Sequence, residues 1–289
     1  MSRPSTLGDE RCGHIAQTKT DHTGEKQAMT HEEYLRLDGI SATAIKAGAK
    51  SMLHMRHAIQ RGRKPTMAMT TGTLTHAAIL DPTALLRLAA VWDGGARRGN
   101  DYTLFVADNP GKIIVKPEEL ETVKGMMDAV RANPVAAKLL DGCECETTVT
   151  WTGAKYGQAK CRPDAYKRGT LIDLKTVANI DRRAVERQGL NLGYDIQMGW
   201  YGHGIAQVHG DDVAGSTWLL YVESSPPFDV YPLKCGFDVI ERGEKTAVRI
   251  AEQYRACEQA GVFPGVATGH DVWSLPDWAL QESLEGFDE

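Results

Sequence analysis

The sequence predicts a mixed α/β (α+β) fold with a central mixed β-sheet flanked by helices, and three observations predict it. Apolar residues recur at helical spacing through "SATAIKAGAKSMLHMRHAIQ" and again over 237–260. Between them, residues 143–152 alternate and are rich in Thr, and the stretch to 176 is punctuated by glycines, the pattern of a strand meander. The blocks then follow as helices, meander, helices, two strands and a helix, an order that suits one sheet with helices packed on it.

Taken in order, Ser41 caps a helix through residue 60, with Ala44, Ile45, Ala49, Met52 and Leu53 at core spacing. A loop follows around Gly62 and Pro65. "TGTLTHAAILD" (71–81) predicts a helix that stops before Pro82, and "LRLAAVWD" (86–93) predicts a strand. "GGARRGN" (94–100) reads as a mobile basic loop. Short helices are expected at 100–108 and 117–133, the second ended by Asn133-Pro134. "CECETTVTWT" (143–152), "KYGQAKCRPDAYK" (155–167) and "TLIDLKT" (170–176) form three strands, turning at Gly153 and at Arg168-Gly169. Helices at 181–189 and 194–208 precede strands at 216–224 and 228–235. A long helix over 237–260 carries Val239, Ala247, Ile250, Ala251 and Tyr254 as its core positions, and no internal repeat is visible.

Bulk properties narrow the class. A chain of 289 residues suits one large domain, here expected over 29–289 after a disordered leader (1–28) rich in Thr, Gly and charge. No apolar run reaches the roughly 18 to 20 residues of a membrane span, and the N-terminus has no apolar core of an export signal. Cys12, Cys143, Cys145, Cys161, Cys235 and Cys257 are scattered with no CxxC pair, so free thiols in a reducing cytoplasm are expected. On that spacing neither a zinc nor an iron–sulfur site is expected.

The net charge of −5 conceals a segregation. Residues 39–80 hold no Asp or Glu but carry Lys46, Lys50, Arg56, Arg61, Arg63 and Lys64. No Lys or Arg follows Arg255, and the tail from about 265 is acidic, with Trp273 and Trp278. Charge alone admits both a polyanion partner for the basic stretch and an ordinary solvated helix face.

The chemistry concentrates in "CRPDAYKRGTLIDLKT" (161–176). Strand residues i and i+2 share a face, so Asp173 and Lys175 project together while Ile172 and Leu174 face a helix. Asp164 lies on the preceding strand, across the turn at Gly169, where hairpin pairing brings it near Asp173. Two carboxylates that close raise one another's pKa unless a cation lies between them, and a hard divalent ion such as Mg²⁺ is the natural resolution. The backbone carbonyl of Leu174 could add another oxygen. Lys175 would orient or deprotonate a water, or stabilise charge growing on a phosphoryl group. An Asp-x-Lys pair is also a common surface ion pair, so residues elsewhere must decide. No GxSxG, GxGxxG or GxxxxGK[ST] occurs, which disfavours acyl transfer, dinucleotide binding and nucleotide-triphosphate hydrolysis.

"RPDAY…LIDLKT" followed by "QMGWYGHG" resembles the PD-(D/E)xK nucleases of the RecB type, whose trailing QxxxY is here Gln197 and Tyr201, one helical turn apart. The sequence resembles more closely the RecE-type exonuclease domain (exodeoxyribonuclease VIII, C-terminal part) and its phage relatives. "GISATAIK", the Gly72-to-His76 helix "GTLTH", "YVESSPPFDVYPL" and "LPDW" match that family's motifs in order from about residue 30 to about 280. RecE itself is much longer.

The resemblance implies a restriction-endonuclease-like core with metal ligands His76, Asp164 and Asp173, and Lys175 as the catalytic lysine. Gln197 and Tyr201 are placed by it at the DNA backbone near the cleaved end. Glu146 matches a recurring acidic position ahead of Trp151 and is a further candidate carboxylate. Mg²⁺, or Mn²⁺, is the implied cofactor, and linear double-stranded DNA, degraded from its 5′ end to leave 3′ overhangs, is the implied substrate. A homo-oligomeric ring, a single-strand annealing partner and the cytoplasm of a phage host complete the expectation. Lys46, Lys50, Arg56, Arg61, Arg63, Lys64, Arg97 and Arg98 then become the expected phosphate-tracking surface. A structure-specific or restriction-type endonuclease, a RecB-like repair nuclease and a catalytically silent DNA-binding scaffold are the alternatives.

Overall fold

A computed structural model describes residues 29–61, 67–267, 269–270, 272–275 and 277. The expected leader, Gly62, Arg63, Lys64, Pro65, Trp278 and most of the acidic tail lie outside the described residues.

The chain opens with α1 (His31–Arg36), α2 (Ala42–Gly48), α3 (Met52–Arg61), α4 (Met67–Leu80) and α5 (Pro82–Leu88). Next come β1 (Ala89–Val91), α6 (Asn100–Asp108), β2 (Ile113–Val115), α7 (Pro117–Ala132) and α8 (Pro134–Leu140). The meander region holds β3 (Glu144–Cys145), β4 (Val149–Gly153), β5 (Gly157–Cys161), β6 (Ala165–Lys167) and β7 (Thr170–Val177). It is followed by α9 (Arg182–Asn191), α10 (Tyr194–His209), β8 (Thr217–Glu223), β9 (Val230–Lys234) and α11 (Phe237–Ala260).

The central sheet has five strands in the order β3-β6-β7-β8-β9, with β7 and β8 parallel and the other neighbours antiparallel. Two cores lie on its two faces, as period-two alternation requires. Ile172, Leu174, Leu220 and Val222 pack with Leu74 of α4 and with Val123 and Met126 of α7. On the other face Leu171, Leu219 and Tyr221 pack with Ile45 of α2, Trp200 of α10 and Ile250 of α11. The mixed sheet flanked by helices is the predicted class, with β7 buried on both sides.

Several predicted elements differ in detail, each for a local reason. The single helix expected over 41–60 is two helices, α2 and α3, broken between Gly48 and Met52. The strand expected at 86–93 shrinks to Ala89–Val91, because Asp81 caps a helix (its Oδ1 accepts from Thr83 N at 3.0 Å) and Pro82 occupies that helix's first position. Asn133-Pro134 ends α7 as expected, but the Asn133 carboxamide also accepts from Val135 N and Ala136 N and starts α8. The meander is interrupted twice, at Glu146, whose φ is +50°, and at residues 162–164. β4 and β5 consequently form a separate hairpin, Val149 opposite Cys161, while β3 and β6 join the main sheet.

Candidate active site

The site forms where β6 ends and β7 continues. β6 pairs Ala165 with Ile172, so Asp164, immediately before the strand, stands opposite Asp173. Pro163 precedes it and lacks an N–H, which suits a point where ladder pairing stops. With no strand partner there, Leu174 N–H donates instead to Asp164 Oδ2 at 2.7 Å. In an extended strand the N–H and C=O of one residue leave the same edge, so the Leu174 carbonyl also points into this gap.

Helices from opposite faces complete the arrangement. From α4, His76 Nδ1 meets Asp164 Oδ1 at 3.2 Å. From α10, Gln197 Nε2 donates to Asp173 Oδ1 at 2.9 Å and to the Tyr201 hydroxyl at 3.1 Å. Lys175 Nζ donates to Asp173 Oδ2 and lies 4.5 Å from the centre of the Tyr194 ring. Asp173 is almost wholly buried, at 1% exposure, so these partners are the ones that hold its carboxylate.

Burial and charge act against each other here. Burial, and then the neighbouring Asp164 charge, push the Asp173 carboxyl above its ordinary value, more than Lys175 offsets. Burial would raise Asp164 too, but the charge and hydrogen bond of His76, together with Lys175 and the Leu174 N–H, hold it below the usual carboxylate value. Burial alone would lower Lys175, yet Asp173 and Asp164 raise it, so it remains an ammonium at neutral pH. Burial likewise opposes charge on His76, and Asp164 reverses the direction and raises it. The Tyr201 phenol is pushed well up by burial and then by Asp173, and stays protonated.

Among the described residues no group of three His, Cys, Asp or Glu is arranged to hold a metal ion. His76 and Asp164 pair with each other, and Asp173 turns to Lys175 and Gln197. The donor chemistry nevertheless fits a hard divalent cation: two adjacent carboxylates, one buried with a raised pKa and one half-buried, and a strand carbonyl beyond the last β6–β7 pair.

Of the predicted site residues, the structure brings together Asp164, Asp173, Leu174, Lys175, His76, Gln197 and Tyr201. It places Glu146 differently. The Glu146 backbone N–H donates to the Asp164 carbonyl at 2.9 Å, but its carboxylate accepts from Arg162 Nη2 at 2.8 Å. Gln197 and Tyr201 are buried, and the Gln197 amide donates to Asp173 and to the Tyr201 hydroxyl, so it braces the Asp173 carboxylate. Tyr194 lies outside the motifs, and Arg162, although within "RPDAY", has no local signal for its pairing with Glu146.

The expected basic surface is also sorted. Lys50, Arg61 and Arg98 are exposed, and Arg56, also exposed, stacks 4.5 Å over the Phe263 ring. Lys46 is turned inward, its Nζ donating to Gln197 Oε1 at 2.7 Å. Arg97 is corrected from a phosphate contact to a structural one: it donates to Glu119 Oε1 at 3.0 Å and to the Ile114 carbonyl at 3.1 Å. Arg97→Ala is therefore expected to lower unfolding free energy by about 1 to 3 kcal/mol in urea melts and leave the salt dependence of DNA binding unchanged. Arg98→Ala is expected to do the reverse, reducing the slope of log K against log salt by about one if Arg98 meets a phosphate.

A mixed sheet carrying Asp164, Asp173 and Lys175 on adjoining strands, with helices on both faces, defines the PD-(D/E)xK class of nuclease fold. Within that class the chain belongs to the family described as a PDDEXK-like domain of unknown function (DUF3799), whose model matches residues 41–274. It is similar in structure to the crystal structure of a "putative exonuclease" from Eubacterium rectale, with a TM-score of 0.57 and 14% identity over 89% of this chain and 98% of that one. At that identity the likeness is one of fold. A phage-related exonuclease from Haemophilus somnus 129PT is more distant, with a TM-score of 0.33 and 15% identity over 79% of this chain and 98% of that one. No curated protein matches the sequence significantly.

Proposed function

We propose that this protein is a metal-dependent exodeoxyribonuclease that hydrolyses the phosphodiester bonds of linear double-stranded DNA. The observation that carries this reading is the pair Asp164 and Asp173, opposed where β6 ends and β7 continues, Asp173 buried and Asp164 half-buried, with Lys175 on the face of Asp173. A hydride- or acyl-transfer enzyme has no use for that set, and a scaffold gains nothing from two carboxylates that raise each other's cost of burial.

Asp164 and Asp173, with the Leu174 carbonyl and His76, are the groups that would hold a Mg²⁺ or Mn²⁺ ion. When bound, such an ion neutralises a phosphoryl oxygen and lowers the pKa of a water. Lys175 then acts as a fixed positive charge. Its ammonium is suited to orienting a water and stabilising the negative charge that grows on the phosphoryl oxygens. Tyr201, protonated and buried, keeps its hydroxyl for Gln197.

The finer reading follows the sequence resemblance: degradation from the 5′ end, 3′ overhangs passed to a single-strand annealing protein, a homo-oligomeric ring, and action in the cytoplasm of a phage host. Among the described residues no helix is long and apolar enough to cross a membrane. Lys50, Arg61 and Arg98 are exposed cations able to follow a phosphate backbone.

The test uses linear duplex labelled at either end and a covalently closed circle, each with Mg²⁺, Mn²⁺ or EDTA. Linear DNA should be degraded only with metal, the circle should survive, and the 5′ label should be released first. Cutting of the circle would transfer the reading to an endonuclease. Binding without cutting would sink the enzymatic reading and leave the scaffold.

A further inference from the structure

Lys46 belongs by sequence to the acid-free basic stretch, yet the fold gives it a different place. Its alkyl stem lies against Gly193, where an added Cβ would stand 3.2 Å from Lys46 Cγ and 3.3 Å from Cδ. Gly193 has φ of +66°, so the turn into α10 both needs glycine and leaves room for this stem. The ammonium ends 2.7 Å from Gln197 Oε1 and 5.7 Å from the centre of the Tyr194 ring, the same ring that Lys175 faces from 4.5 Å.

The chemistry of the contact fixes a direction. A lysine ammonium only donates, whereas a glutamine amide has one accepting end and one donating end. Lys46 therefore holds Oε1, and Nε2 is left to face Asp173 Oδ1 at 2.9 Å and the Tyr201 oxygen at 3.1 Å. The reversed amide would set NH₂ against an ammonium and oxygen against a carboxylate oxygen. Gln197 and Asp173 are both buried, where such repulsions are poorly screened. With Lys175 on Oδ2 and Gln197 on Oδ1, the plane of the Asp173 carboxylate is set from both sides.

We propose that Lys46 is a positioning residue: it locks the Gln197 amide and, through it, orients the Asp173 carboxylate, and it does not serve as a DNA phosphate contact. This inference rests on the nuclease reading for its kinetic consequence, although not for its geometry.

The experiment compares the full chain with Lys46→Met, which keeps the stem on Gly193 and removes the ammonium, with Lys46→Arg, and with Gln197→Leu alone and combined with Lys46→Met. On linear duplex with Mg²⁺, Lys46→Met should lower kcat about 10- to 100-fold, as outer partners of ligating groups do, with KM unchanged. Lys46→Arg should recover part of that loss, and in the Gln197→Leu background Lys46→Met should cost nothing more. A raised KM with intact kcat, and a salt slope of binding reduced by about one, would make Lys46 a phosphate contact and overturn the proposal. Losses that multiply in the double variant would overturn it as well. A second readout needs no activity: in metal-free protein the Gln197 side-chain NH₂ signals should be protected from solvent exchange, and Lys46→Met should shift them and abolish the protection. Unchanged signals would defeat the proposal. If the wild type cuts no DNA, the nuclease reading fails while the amide signals still decide the role of Lys46.

Discussion

Asp173→Asn is expected to reduce hydrolysis of linear duplex DNA by about a thousandfold or more relative to the wild type. Asparagine preserves the shape of the side chain and an oxygen able to accept from Gln197 Nε2, so the packing of α10 against β7 is retained. What disappears is the charge that Lys175 faces and one of the two anionic oxygens available to a divalent cation. The half-buried Lys175 keeps Asp164, which also acts on its charge, so the variant should fold, with a lowered melting temperature. The decisive comparison is cleavage against binding: the labelled duplex should still be bound in EDTA but not degraded with Mg²⁺. Activity retained above about a tenth of wild type, under 1.4 kcal/mol of barrier, would remove Asp173 from the reacting machinery.

The contrast between what the sequence disclosed and what it hid follows from the range of the interactions. β7 was legible because period-two alternation is local: Ile172 and Leu174 had to face one way and Asp173 and Lys175 the other. α11 was legible because its amphipathic pattern runs without interruption between Gly236 and Gly261, and Gly261 ends it with φ of +69°. Asp81-Pro82 and Asn133-Pro134 mark helix ends, but Asp or Asn before Pro is equally the signal for a helix start, and here helices begin at both. The break at Glu146 has no local marker, since the flanking Thr and Val residues suit one continuous strand. Only the division of strands between the main sheet and the β4–β5 hairpin exposes it.

The site divides in the same way. Asp164 and the Leu174 N–H are 10 residues apart in a hairpin, a distance over which turn and register can be reasoned. His76 lies 88 residues from Asp164, and its placement required the family resemblance. Lys46 and Gln197, 151 residues apart, lie in separate motifs with nothing local to pair them, and a count of charges does not show that Lys46 turns inward to the Gln197 amide. Arg97 is hidden from a charge count in the same way: its partner Glu119, 22 residues on, is acidic and cancels the charge locally.

Gly199→Ala is expected to cost about 3 kcal/mol or more of stability, at or beyond the upper end of ordinary overpacking, because the obstacle is backbone. Gly199 lies between Gln197 and Tyr201 on α10, on the side where that helix crosses α11. A Cβ there would stand 2.1 Å from Glu244 N and 2.4 Å from the Gly243 carbonyl carbon. The crossing is close from both sides, since a Cβ on Gly243 would come within 2.0 Å of the Asp195 carbonyl oxygen. Neither helix can yield by a rotamer change, so one must move away from the other. Glycine in a helix interior is itself disfavoured by roughly 1 kcal/mol against alanine, so a gain in helix propensity opposes this loss and cannot cancel it. The movement also reaches the site: α10 carries the amide that orients Asp173, and displacing it should lower kcat even at temperatures where the variant remains folded. Thermal melts and kinetics on the same preparation check both parts. A variant that melts with the wild type would show that the two helices are not in backbone contact, and that the support of Gln197 comes from elsewhere.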